Sequence, residues 1–174
     1  MPDIAIRESC ADDVGFLDRL YPAAFPDEKL LPLVHALLAG EPEPLSLLAF
    51  TGGKPAGHVL FTLCGITRTP ARAALLGPLA VAPDRQRQSI GSALIRDGLE
   101  RLAQAGVKYV CVLGDPAYYG RHGFEPEPAI APPYPLPEDW RAAWQSLSLN
   151  SAPKPPTETL IVPVVWMQPA LWRP

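Results

Sequence analysis

Polar and apolar positions alternate through residues 3–7, which predicts a first strand. Ser9 followed by Asp12 reads as a helix N-cap with an acid in the first turn, opening a helix that runs to about residue 24. Leu30, Leu31, Val34, Leu37 and Leu38 then recur at helical spacing until Gly40, so a second helix is expected to end near Ala39. Residues 45–50 read as a strand, Thr51-Gly52-Gly53-Lys54 as a tight turn and residues 56–66 as a longer strand, together a hairpin. A further turn near Thr69-Pro70-Ala71 leads into residues 73–81, an apolar run of the kind found in buried central strands.

Beyond Ala82-Pro83-Asp84, the positions Ile90, Ala93, Leu94, Ile95, Leu99 and Leu102 form a broad apolar arc. The loop 85–91 therefore opens a helix packed on the sheet, and Gly106 caps its end. Residues 108–113 read as a strand, Gly114-Asp115-Pro116 as a turn and residues 117–122 as about one helical turn. Two more strands are expected at residues 142–149 and 159–166. This order mixes hairpins with one strand-helix-strand crossover, which predicts an α/β fold with a mixed sheet flanked by helices.

Composition changes the picture at one end only. The chain has 23 prolines, crowded into residues 125–137 and again after Ser151, which excludes regular helix there. With 174 residues, 48% apolar and 19% charged, the chain reads as a single globular domain over 1–174 with a Pro-rich region from about 125. A net charge of −3 and the lack of any Lys/Arg cluster argue against a nucleic-acid partner. No apolar run approaches the roughly 18 residues of a membrane span, and Met1-Pro2-Asp3 opens no leader, so no membrane partner and a cytoplasmic address are expected. Cys10, Cys64 and Cys111 lack any C-x-x-C pairing, which suits small buried apolar residues in a reducing compartment. No metal site is assigned.

The candidate chemistry sits after residue 81. A strand feeding a helix through small residues lets backbone N–H groups converge on an anion, helped by the positive end of the helix dipole. Gly91 permits close approach, and Ser89, Ser92 and Ala93 keep the surface low. A phosphate-bearing ligand fits that description, as does an ordinary loop and cap.

Resemblance sharpens it. The run V-A-P-D-R-Q-R-Q-S-I-G-S-A-L-I, residues 81–95, resembles the acetyl-CoA signature Gln/Arg-x-x-Gly-x-Gly/Ala of the GNAT (GCN5-related) N-acetyltransferases, with Gln86, Ser89 and Gly91 at its fixed places. Ser89 departs from the family's usual glycine. Left-handed backbone there would make the serine a cost to affinity; helical or extended backbone would leave its hydroxyl to donate to phosphate. Downstream, L-G-D-P-A-Y-Y-G-R-H-G-F, residues 113–124, resembles the family's Tyr-x-x-x-Gly-Phe segment at Tyr119, Gly123 and Phe124. L-G-P-L-A-V (76–81) and G-H-V-L-F (57–61) look like a bacterial branch of predicted acetyltransferases. The resemblance covers about residues 4–124, and the Pro-rich end only loosely.

It implies a GNAT-like, mostly antiparallel central sheet flanked by helices, with pantetheine between splayed parallel strands at residues 73–81 and 108–113. Acetyl-CoA would be the donor and CoA the product, with direct attack by a primary amine on the thioester. The implied cofactor-binding set is Gln86, Arg87, Gln88, Ser89, Ile90, Gly91, Ser92 and Ala93 for the pyrophosphate. Backbone of Leu79, Ala80 and Val81 would meet the pantetheine and the thioester carbonyl. Tyr119 would protonate the departing thiolate, its bland alternative being an aromatic at the sheet edge. Arg85 and Arg87 are read either as phosphate contacts or as solvated loop residues. Tyr118 reads as packing. The base stays open among His58, Asp115, Glu28 and water, since a strand histidine, an N-cap aspartate and a first-turn glutamate each have ordinary structural readings. The acceptor is a small-molecule or peptide amine, and the family leaves room for a homodimer. The competing reading is a non-catalytic acyl-CoA-binding or regulatory module.

Overall fold

The computed structural model describes residues 3–172. Met1 and Pro2, on which the expectation about a leader rests, lie outside the described residues. Strand β1 (Ile4–Glu8) is followed by a 3-10 turn at Ala11–Asp13 and by helices α1 (Val14–Ala24) and α2 (Leu31–Leu38). Where the sequence puts a helix capped by Ser9, the chain first makes the 3-10 turn capped at Cys10, whose N–H donates to Asp13 Oδ2 at 2.7 Å, and α1 follows with Asp13 at its N-cap. Leu17, Leu20 and Tyr21 bury one face of α1, the i, i+3, i+4 arc that a half-buried helix needs.

Strands β2 (Leu45–Thr51) and β3 (Lys54–Ile66) meet through Gly52 and Gly53, both at positive φ (56° and 77°), the requirement of a two-residue hairpin turn. Strand β4 spans Thr69–Val81. The turn expected at Thr69-Pro70-Ala71 forms instead at Thr67-Arg68, with Arg68 at φ 59°. A distant segment fixes it there: Thr67 N–H donates to the Thr159 carbonyl and Thr67 Oγ1 to Glu158 Oε2. Pro70 is tolerated because it sits near the strand's start.

Helix α3 (Ile90–Gln104) is closed by Gly106 at φ 85°, and β5 (Tyr109–Leu113) follows. Helix α4 (Pro116–Tyr119) continues into a 3-10 turn at Gly120–His122. The Pro-rich end then holds β6 (Glu125–Pro126), β7 (Ile130–Ala131), a 3-10 turn at Glu138–Ala143, β8 (Trp144–Ser148) and β9 (Glu158–Ile161). The strand expected over residues 159–166 stops at Ile161, and a 3-10 turn at Val164–Trp166 follows Pro163, which has no N–H to give a ladder.

The sheet runs β1-β2-β3-β4-β5-β8-β6, with β9 pairing β3 and β7. Pairs β1/β2, β2/β3, β3/β9, β5/β8 and β6/β8 are antiparallel, while β4/β5 and β7/β9 are parallel. The fold is thus a mixed, mostly antiparallel open sheet flanked by helices.

Among the described residues, those up to Phe61 and Gly77–Gly98 form one compact unit, and Thr62–Leu76 with those from Leu99 onward form a second. The chain passes between them inside β3, β4 and α3. In the first unit Leu47, Leu48, Val59, Leu60 and Phe61 are fully buried with Ile90, Leu94 and Ile95 of α3. Gly57 lets α3 come close: a Cβ there would stand 3.0 Å from Ile90 Cγ2. In the second unit β4 pairs with β5 from Ala73↔Tyr109 to Leu76↔Val112. Its far end is folded by three tryptophans whose indole N–H groups are all used: Trp144 on the Ile130 carbonyl, Trp166 on Thr62 Oγ1 and Trp172 on the Trp166 carbonyl. Glu127, buried in the same unit, accepts from Ser146 Oγ, Lys154 Nζ and the N–H groups of Ala129 and Ile130.

Candidate active site

In the first unit, β4 delivers Leu79, Ala80 and Val81 to a loop that turns into α3. Ala82 N–H donates to the Ala56 carbonyl at 2.8 Å, tying the loop's root to β3. A 3-10 turn over Pro83–Arg85 follows, and Gln86 is extended. Arg87 (φ 63°) and Ser89 (φ 65°) are both left-handed. A left-handed residue followed by a right-handed one, here Ser89 and the helical Ile90, makes consecutive N–H groups converge into a concave anion nest at the positive end of a 15-residue helix. Ala93 N–H donates to the Ser89 carbonyl at 3.0 Å, so Ser89 is the residue that caps α3. Gln86, Arg87 and Ser89 are exposed, Gln88, Ser92 and Ala93 half-buried, and Ile90 and Gly91 buried beneath them.

The Ser89 question is thereby answered in backbone terms. A side chain in the left-handed region costs about 1 to 2 kcal/mol that glycine does not incur. The two glutamines brace the loop internally: Gln86 Nε2 donates to the Val81 carbonyl at 3.2 Å and Gln88 Nε2 to the Asp84 carbonyl at 3.4 Å. Arg85, read from sequence as a phosphate contact or a solvated residue, donates from Nη1 to Thr51 Oγ1 at 3.0 Å. No sequence signal singles out Thr51, because its relation to Arg85 is spatial.

Tyr119 belongs to the second unit, on the last turn of α4. Its ring stands edge-on to Phe124 (5.8 Å between centroids) and to Tyr118 (5.0 Å). Burial pushes its phenol well above the ordinary tyrosine range, so it carries its proton throughout the neutral range. Gly114 makes room for the ring: a Cβ at that position would lie 2.5 Å from Tyr119 Cε2. The turn reading of Gly114-Asp115-Pro116 is correct but gives no hint of this contact. Tyr118 packs against His122 (5.5 Å) and lies under the Arg121 guanidinium (5.0 Å).

The base candidates separate. His58 is fully buried in the first unit, its Nδ1 at 2.7 Å from Tyr21 Oη and its Nε2 at 2.8 Å from Ser46 Oγ. Burial holds it neutral, pulled down to about 4. With both ring nitrogens engaged inside the core, it fixes α1 on β2 and β3 rather than receiving a proton from a ligand. Asp115 caps α4, Oδ1 accepting from Ala117 N–H at 2.9 Å. Glu28 is exposed in the segment before α2, not in the helix's first turn. Of the thiols, Cys64 and Cys111 are buried as expected and pushed up by burial. Cys10 departs from that reading and is exposed, because the turn between β1 and α1 faces solvent. Among the described residues no helix is long and apolar enough to cross a membrane.

Comparison with known proteins bears on this geometry. The sequence model of the acetyltransferase (GNAT) family matches residues 14–124. YjhQ of Escherichia coli K12, an uncharacterized N-acetyltransferase, is 43% identical over 138 residues, spanning 75% of this chain and 76% of that protein. YhbS of the same strain, also an uncharacterized N-acetyltransferase, is 31% identical over 121 residues, 69% of this chain and 72% of its own. The crystal structure of Escherichia coli YhbS in complex with CoA is similar at a TM-score of 0.83 and 25% identity, over 97% of this chain and 94% of that one. A GNAT acetyltransferase from Brucella melitensis in complex with acetyl-CoA is similar at 0.75 and 29% identity, over 95% and 99%.

Proposed function

Since the chain belongs to the acetyltransferase (GNAT) family and is an acyltransferase, we propose that it moves an acetyl group from acetyl-CoA to a primary amine by direct attack, in the cytoplasm, with residues 1–174 acting as one acetyltransferase domain. The observation that carries this reading is the nest at Arg87 and Ser89 on the head of α3, in a fold shared with proteins complexed with CoA and acetyl-CoA. Acetyl-CoA, when bound, supplies an activated acetyl thioester. The N–H groups of Gln88, Ser89, Ile90 and Gly91 hold its pyrophosphate, with Gln86, Arg87, Ser92 and Ala93 forming the rest of the surface around it. A backbone N–H within Leu79, Ala80 and Val81 would stabilise the charge that develops on the carbonyl oxygen, and the main chain beside it would pair with pantetheine. The acceptor nitrogen loses its proton to water, consistent with His58 being sequestered in the core. Tyr119 holds a proton at Oη and gives it to the sulfur as the C–S bond breaks, so that CoA leaves as the thiol.

The test is CoA release over a panel of small-molecule and peptide amines, run with the wild type and Tyr119→Phe. The variant keeps the ring edge on Phe124 and Tyr118 and deletes the proton donor. Turnover is expected to fall about 10²-fold, the lower range for loss of general acid catalysis, with CoA affinity little altered. Full turnover in Tyr119→Phe where chemistry limits the rate removes Tyr119 from the mechanism. CoA binding by the wild type without transfer to any amine would favour a regulatory acyl-CoA-binding module.

A further inference from the structure

Arg85 is the cation just ahead of the nest, and its guanidinium turns to the β2–β3 hairpin. Nη1 donates to Thr51 Oγ1 at 3.0 Å, and Nε stands 3.9 Å from Asp84 Oδ2. Thr51 is 4% exposed and is the last residue of β2. Its backbone is paired on both sides, with Ile4 of β1 and Lys54 of β3, so it is a rigid point of attachment. The Arg85 N–H closes the 3-10 turn on the Ala82 carbonyl at 2.8 Å, and Ala82 N–H is itself held by Ala56 of β3. The loop is therefore gripped at its root by a backbone bond to β3 and three residues later by a side-chain bond to β2. Gln86 and Gln88 bond only within the segment 81–88, to Val81 and Asp84. They brace the loop without connecting it to the hairpin.

The left-handed residues Arg87 and Ser89 follow directly. Two such residues cost conformational energy and persist only where the surroundings over-determine them. N–H groups aimed at an anion help binding to the degree that they are already aimed before it arrives. We infer that Arg85 is a positioning residue: through Thr51 it holds the loop in the form that presents its N–H groups, and it is not itself a phosphate ligand. This rests on the proposal that the loop holds the CoA pyrophosphate.

The test titrates CoA into the wild type, Thr51→Val, Thr51→Ser, Arg85→Met and the double variant Thr51→Val/Arg85→Met. Valine matches threonine in shape and removes only the acceptor, and Arg85 is partly exposed, so its freed donor is taken up by water. Thr51→Val and Arg85→Met are each expected to weaken CoA about fivefold, the scale of one hydrogen bond, with the double variant no weaker than either alone. Thr51→Ser keeps the acceptor and is expected to bind like the wild type. In steady state the loss falls on KM for acetyl-CoA rather than on kcat. A loss with Arg85→Met but not Thr51→Val, additive losses in the double variant, wild-type binding by both single variants, or a Thr51→Ser as weak as Thr51→Val each overturns the tether. Gly91→Val separates the two levels. If it binds CoA as the wild type does, the loop reading fails and the tether with it; if it binds weakly while the tether variants bind normally, only the tether fails.

Discussion

Ser89 shows how much one φ angle decides. The family signature has glycine at this place, and the backbone here still adopts the left-handed conformation that glycine favours, at φ 65°. Ser89→Gly relieves about 1 to 2 kcal/mol of left-handed strain and loses roughly 0.5 to 1 kcal/mol through the greater freedom of glycine in the unfolded chain. The fold is expected to gain up to about 1.5 kcal/mol in urea unfolding. CoA is expected to bind more tightly, by no more than about tenfold, once the Cβ is gone from the nest. Weaker binding in calorimetric titration would instead assign the Ser89 hydroxyl as a phosphate donor. Gly114 poses the opposite case, a glycine kept for space. With a Cβ only 2.5 Å from Tyr119 Cε2, Gly114→Ala must push the phenol aside. Turnover is expected to fall at least tenfold, because misplacing a reacting group by about 1 Å can cost 10²-fold. Wild-type turnover in a folded Gly114→Ala protein would show that the ring's position does not matter.

At the level of elements, what the sequence reveals is what glycine, proline and apolar spacing punctuate. The β2–β3 hairpin, α3 and its cap at Gly106 all fall where Gly52-Gly53, the arc from Ile90 to Leu102 and Gly106 put them. What it hides is imposed from a distance: Thr67 and Arg68 make the turn because residues 157–159 hold them, displacing it from Pro70. The Pro-rich end holds short strands and 3-10 turns joined by loops, as its prolines predict. The indole N–H bonds and the Glu127 cluster that pin it have no periodicity to read. The same division runs through the proposed site. Residues 86–91 and Tyr119 are legible as contiguous motifs, whereas the contacts of Thr51 with Arg85 and of Gly114 with Tyr119 exist only in space. For α3 as an element, the consequence concerns its head. Gly91 is buried under the loop, and Gly91→Val puts a branched side chain into that first turn. CoA affinity is expected to fall more than tenfold while far-ultraviolet circular dichroism keeps its wild-type shape.

For the whole molecule the exposed test is acid. His58, buried between Tyr21 and Ser46, titrates near 4 in the fold because burial penalises its charged form; the unfolded chain titrates it near 6.5. Between those values the unfolded state binds the extra proton, so stability falls as pH falls from about 6.5 to about 4 and is flat in this group above and below. That difference corresponds to about 3 kcal/mol. Asp13 acts in a lower window. The hydrogen bond from Arg7 holds its carboxyl down at about 2, so its contribution is present above the unfolded value near 3.8 and is lost as pH falls toward 2. Glu127, lowered by Lys154, Ser146 and two backbone N–H groups against the cost of its burial, likewise loses its contribution on the acid side. The histidine thus begins to erode the fold before the carboxylates do. Urea midpoints measured from pH 7.5 down to 4.5 are expected to drop steadily below about pH 6.5. In His58→Gln, less stable at neutral pH for want of the Tyr21 and Ser46 bonds, that early slope should vanish and leave only the decline below about pH 4.5. A wild-type midpoint that stays level from pH 6.5 to 4.5 would mean that His58 takes its proton in the fold as readily as in the unfolded chain, and that the Ser46-His58-Tyr21 chain does not hold the imidazole neutral.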